Sequence, residues 1–142
     1  MLILINRLVL GLLLILIACD SPIRDELEQR SDVYGTWVYD GYSTDLDCSV
    51  YFRDQEFATG QPGVSFKDLG LFVEKTNSGW CGTPPISYHE YEGSWNFEGE
   101  SFIEIRSKYW GGDKECVLEI LSLTPDSLFV LWDCTFNAHT PE

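Results

Sequence analysis

Cys116-Val117-Leu118-Glu119-Ile120-Leu121-Ser122-Leu123-Thr124-Pro125-Asp126-Ser127-Leu128-Phe129-Val130-Leu131-Trp132-Asp133-Cys134 is the stretch that decides the fold. Its first eight residues alternate as a half-buried strand does. Thr124 to Ser127 are turn residues, and the apolar pattern resumes at Leu128. With Leu123 opposite Ser127, Ile120 faces Val130, Leu118 faces Trp132 and Cys116 faces Cys134. Side chains on a strand change face with period two. Opposed residues of an antiparallel pair sit near bridging distance, so this register predicts a Cys116–Cys134 disulfide across the last hairpin.

The same β pattern extends back to Tyr34. The chain is rich in Tyr, Trp, Phe, Val and Ile, with Gly or Pro every eight to twelve residues and no helix of three turns. The expected strands are 35–42, 47–53, 64–75, 86–92, 94–98, 102–109, 115–123 and 128–136. In the third, Val64 and Phe66 are one residue out of phase with Leu69, Leu71 and Val73, which predicts a bulge or sharp bend around Lys67-Asp68-Leu69. Eight antiparallel strands joined by hairpins predict an all-β, eight-stranded up-and-down barrel.

The N-terminus supplies an address. Arg7 precedes an uncharged apolar run, Leu8 to Ile17, which ends in Leu16-Ile17-Ala18-Cys19 and turns polar at Asp20. A basic n-region, a short apolar h-region and small residues before a cut describe a secretory signal. The run is too short for a spanning helix, which needs roughly 20 apolar residues. Leu16-Ile17-Ala18-Cys19 resembles the lipobox of bacterial lipoproteins. The resemblance implies cleavage before Cys19, lipidation of that cysteine with fatty acids such as palmitate, and a membrane-anchored protein of the cell envelope facing the periplasm or the exterior. Whether that membrane is the inner or the outer one stays open. The organisation expected is a signal peptide over 1–18, a polar tether over 19–33, a barrel over 34–136 and a tail over 137–142. Ser21-Pro22 followed by Asp25 and Glu26 would start a short helix in the tether.

Removing the signal peptide takes away Arg7 alone, leaving eight basic and 23 acidic residues, a formal charge of −15. That excludes a nucleic-acid partner, whose phosphates call for basic contacts. It suits solubility, and also a cationic partner drawn in by long-range attraction. In an exported domain the four remaining cysteines read as two disulfides. Three pairings are open on spacing alone. The hairpin register takes Cys116 with Cys134 and leaves Cys48 for Cys81. A zinc site lacks the required spacing and has only His89 and His139 to draw on.

Three passages carry a family likeness. Tyr34-Gly35-Thr36-Trp37 resembles the Gly-x-Trp opening of the lipocalin superfamily. Glu119 to Leu128 resembles the last hairpin of small bacterial lipocalin-like lipoproteins, and Gly93-Ser94-Trp95-Asn96-Phe97-Glu98-Gly99 their mid-barrel hairpin. The resemblance implies a lipocalin-like domain that works by binding, with Trp37 plugging the core. Larger lipocalins stack a basic residue from near the end of the barrel on the first-strand Trp. Here the last arginine is Arg106 and the last lysine Lys114.

Catalytic signals are thin. His89 and Glu90 are neighbours on a strand and so point to opposite faces. Asp45-Leu46-Asp47 lacks the rest of a calcium loop, and Glu98 and Glu100 flank an apparent turn at Gly99. Trp110-Gly111-Gly112-Asp113-Lys114 reads as a hairpin loop, with no helix after it to hold phosphate. The reading is therefore a binding domain with no catalytic residues, no metal and no cofactor. Two classes of target stay open: a small apolar ligand inside the barrel, or a basic protein such as a lysozyme met through a loop like Thr76-Asn77-Ser78-Gly79-Trp80. An open apolar cavity would favour the first, a filled barrel with exposed aromatics the second.

Overall fold

The computed structural model describes residues 31–79 and 85–138. A helical turn at 31–33 leads into eight strands. They are β1 (Gly35–Ser43), β2 (Cys48–Asp54), β3 (Gly63–Phe66), β4 (Leu71–Asn77), β5 (Tyr88–Glu98), β6 (Phe102–Tyr109), β7 (Gly112–Leu123) and β8 (Ser127–Ala138). The chain is all-β, and the strands close into one antiparallel barrel. Among the described residues no helix is long and apolar enough to cross a membrane. The expected signal peptide, Cys19 and most of the expected tether lie outside the described residues, and the last strand runs two residues beyond the expected barrel end at 136.

The count of eight arises differently from the sequence expectation. The strand expected over 64–75 is two strands, because the phase slip marks a full reversal. A 3-10 turn, Asp68–Gly70, separates them, with Leu69 and Gly70 both at positive φ (59° and 73°). In compensation, the strands expected over 86–92 and 94–98 form one. Gly93 reads as a break in sequence, yet it lies inside β5, where a Cβ would come within 2.2 Å of the Arg106 carbonyl oxygen. The glycine permits a close backbone approach between β5 and β6.

Around the barrel the order is β1-β2-β8-β7-β6-β5-β4-β3, with β3 closing onto β1. Strands β3 to β8 are sequential neighbours, as in an up-and-down meander. Strand β1, however, stands between β2 and β3, so β2 rather than β1 closes onto β8. The connection over 55–62 crosses the outer face of β1, leaving a groove lined by Val38, Phe52, Ala58 and Gln61. It is pinned there by the Tyr39 N–H, which donates to the Pro62 carbonyl (3.0 Å).

The last hairpin carries the expected pairs Cys116 with Cys134, Leu118 with Trp132 and Ile120 with Val130. Nearer the turn the register differs by one: Leu123 faces Leu128, not Ser127, because a bulge falls between Ile120 and Ser122. Ile120 and Leu123 are an odd number of residues apart, so a regular strand would send them to opposite faces. The extra residue lets both pack on the core.

One end of the barrel, here the base, carries the start of β1 and the turns after β2, β3, β5 and β7. Its interior is a packed aromatic–aliphatic core of Trp37, Phe66, Phe72, Trp95, Ile103, Leu118 and Leu128. Trp37 is fully buried, as expected of the first-strand Trp, and its indole N–H donates to the Val33 carbonyl (2.8 Å). Trp95 joins Phe66 and Phe97 edge-to-face and donates to the Lys67 carbonyl. Burying such rings is the largest apolar gain open to a domain of this size.

Candidate functional site

The other end, the rim, differs in chemistry. Strand alternation that places Phe72 in the core also turns Glu74 of β4 inward, and the alternation placing Cys116 inward does the same for Lys114 of β7. Their side chains, 14% and 7% exposed, meet across the barrel as an ion pair between Glu74 Oε2 and the Lys114 ammonium. The contact is a charge pairing rather than an aligned hydrogen bond. Lys114 also lies 5.8 Å from the centre of the Trp132 ring. Tyr51 of β2 completes the layer, edge-on to Tyr39 at 5.4 Å. Burial, and then the charge of Glu74, hold the Tyr51 phenol well above its ordinary 10.0. The buried Trp132 Nε1 opposes that shift yet meets no acceptor of good geometry.

Around this layer the barrel wall parts twice. Strands β5 and β6 pair only from Gly93 and Ser107 toward the base, and β2 and β8 only from Ser49 and Val130 toward the base. The end of β6, the start of β7 and the end of β8 continue together as a three-stranded tongue. Grooves of ≈510 Å³ and ≈380 Å³ flank it. Glu92, Arg106, Lys108 and Lys114 line the first, and Tyr42, Asp47, Ser49 and Trp132 the second. Tyr109 packs edge-on to Trp110 and Phe136 at the tip (5.8 and 5.2 Å), where Trp110 is 50% and Phe136 58% exposed. Across the second groove, the Tyr42 hydroxyl donates to the Asp47 carboxylate, and Asp47 sits in the left-handed region at φ 54°.

Arg53 is the residue that sequence reasoning missed. It extends from β2 beneath the barrel, where its guanidinium carbon lies 4.2 Å from the centre of the Trp37 ring. It donates to the carbonyls of Asp32, Tyr34 (2.6 Å) and Pro125. One side chain thereby ties the incoming chain, the first-strand Trp and the β7–β8 turn together. A basic residue does stack on the first-strand Trp, but it comes from the second strand. The Gly-x-Trp opening also gains a physical reason: Gly35 sits at φ +125°, and a Cβ there would meet Arg53 Nη1 at 2.8 Å.

The other residues singled out in sequence fall as follows. Cys116 and Cys134 form a disulfide inside the barrel. Cys48 is buried and has no disulfide partner among the described residues; Cys81, and with it the expected Cys48–Cys81 bridge, lies outside them. His89 faces Thr76 and Glu90 faces Lys75 across the β4–β5 pair, on opposite faces of the sheet. Asp45 and Asp47 lie in the β1–β2 turn, and Glu98 and Glu100 flank Gly99 in the β5–β6 turn, at φ 79°. Thr76 and Asn77 end β4, while Trp80 and His139 lie outside the described residues. Among the described residues no group of three or more His, Cys, Asp or Glu is placed to hold a metal ion.

Fold and site together define a closed eight-stranded β-barrel with an apolar base, a charged and aromatic upper interior, and an aromatic tongue at its rim. Comparison with protein families, with curated proteins and with solved structures finds no match to the chain.

Proposed function

We propose that this chain is a lipid-anchored lipoprotein of the bacterial cell envelope, held by Cys19, whose lipocalin-like barrel is a non-catalytic module that binds a partner polypeptide at its rim. The observation that carries the reading is the contrast between interior and tip. Interior positions are occupied by the protein's own core at the base and by Glu74, Lys114, Tyr51 and Trp132 above it, whereas Trp110 and Phe136 stand exposed on the tongue. Exposed aromatics are the usual anchors of protein interfaces. A small apolar ligand inside the barrel is the weaker reading, since it would have to displace a buried ion pair. The acidity of the chain favours a basic partner, of which a lysozyme is one example. The described chain begins at the base, the end opposite the rim.

Native mass spectrometry tests the binding mode. The full-length protein released from detergent should show the mass of chain plus lipid alone. A retained apolar small molecule, lost on unfolding, would overturn the partner reading. Labelled palmitate should enter the wild type and not Cys19→Ala; equal labelling of both would remove the anchor.

A further inference from the structure

Among the described residues, the tongue leaves one edge of β8 without a partner strand. Strand β8 runs from Ser127 to Ala138, but β2 pairs with it only as far as Val130. Among the described residues no strand lies against that edge from Leu131 to Ala138.

Which backbone groups the edge presents follows from one distance. The Cα atoms of Cys116 and Cys134 are 4.1 Å apart. That is the spacing of a non-hydrogen-bonded antiparallel pair, about 4.5 Å against about 5.5 Å for a bonded one. The N–H and C=O of Cys134 therefore turn away from β7. By the two-residue period the same holds for Trp132 and Phe136. Val130, paired with Ser49, belongs to the same row, so a hydrogen-bonding row that serves β2 continues past its last partner.

Natural sheets blunt such edges with Lys, Pro or a bulge. Leu131-Trp132-Asp133-Cys134-Thr135-Phe136-Asn137-Ala138 contains no Lys and no Pro, and the bulge of this hairpin lies near its turn, on β7. The edge is bare.

We propose that this edge is a docking site for an added strand from a basic polypeptide whose side chains alternate between basic and apolar. The proposal rests on the partner reading above and names its site and partner chemistry. Alternate side chains of an added strand would fall beside Phe136 on the inner face and beside Asp133 on the outer, which sets the alternation. Its lower end would run into the second groove beside Asp47, with Asp45 in the same turn. A second copy of the chain is a poorer occupant, because it would bring together two molecules of net charge −14 as written and more negative once matured.

The test uses the full-length chain in neutral detergent and two synthetic peptides, acetylated and amidated, one alternating lysine and valine and the other glutamate and valine. The lysine peptide should bind, and more weakly as salt rises. It should slow amide hydrogen exchange roughly tenfold or more at Cys134 and Phe136 while changing Asp133 and Thr135 little, since those already face β7. Phe136→Ala loses the ring contact but keeps the edge N–H; Phe136→Pro also removes that N–H without breaking a β7 bond and should weaken binding roughly tenfold or more beyond Phe136→Ala. Equal binding of the glutamate peptide, or protection placed elsewhere, would overturn the proposal. So would a peptide-free dimer that Phe136→Pro dissociates, because the edge would then serve a second copy. The exchange map needs no variant, so misfolding of Phe136→Pro would not obscure the outcome.

Discussion

Replacing Arg53 tests the account of how the barrel base is held. Arg53→Ala removes donors from the carbonyls of Asp32, Tyr34 and Pro125, and the cation over the Trp37 ring. Hydrogen bonds from a charged donor contribute about 1.5–3 kcal/mol in general. Two of these three are exposed, so about 1 kcal/mol each is the fair value there, with about 1.5 kcal/mol for the half-buried bond to Asp32. The cation–π contact adds about 0.5–1 kcal/mol. The expected loss is roughly 4–4.5 kcal/mol, a large share of a domain's whole stability. In urea unfolding followed by Trp fluorescence, the midpoint should fall by roughly 1.5–4 M with the slope unchanged. Arg53→Lys should recover less than about half, because an ammonium cannot reach three diverging carbonyls. Arg106→Ala is the control: its ion pair with Glu115 is open to solvent and should cost about 0–0.5 kcal/mol. The reasoning fails if Arg53→Ala costs less than about 1 kcal/mol, or if Arg53→Lys matches the wild type.

Glu74→Leu or Lys114→Met alone should destabilise by about 3–5 kcal/mol, as one charge is left buried, while the two combined should come close to the wild type; additive losses in this double-mutant cycle would argue against the pair. Stability should also fall above pH 10. The unfolded chain releases the Tyr51 proton near the ordinary 10.0 while the folded chain retains it, so the contribution is complete below pH 10 and declines by up to about 1.4 kcal/mol per unit above it; Tyr51→Phe should remove that component from the pH profile. Replacing Cys116 and Cys134 by Ala opens a loop with a sequence separation of 18 and should cost about 2–4 kcal/mol, read from urea midpoints with the wild type kept oxidised.

The parts of this fold legible in sequence are those governed by local period. Alternation across Cys116 to Cys134 specified the last hairpin and its disulfide, since opposed positions follow from a turn and a period of two. Around Lys67 the phase slip was visible, but its size was not. A bulge and a three-residue reversal displace the pattern alike, and only the positive φ of Leu69 and Gly70 separates them. Gly93 was misleading because glycine serves both turns and close strand contacts. Arg53 and the Glu74–Lys114 pair left no local trace at all. Their partners lie up to 72 residues away for Arg53 and across the barrel for Glu74, so their roles exist only once the barrel is closed. The placement of β1 between β2 and β3 was hidden likewise: hairpin patterns identify strands, and a short crossing connection looks like any other loop.

That placement has a consequence for the order of assembly. Strand β1 finds both its neighbours within the next few dozen residues, whereas the β2–β8 seam joins Ser49 to Val130, about 80 residues apart. Loop-closure entropy makes the distant pairing the slow one. A chain that folds from its N-terminus can lay down seven strands as an open, curling sheet, with β2 and β7 as its outer margins until β8 arrives. Pulse-labelling during refolding should find the Val64 amide protected before that of Ser49 or Val130. The interval between the two is when quality-control proteases would meet this protein unsealed.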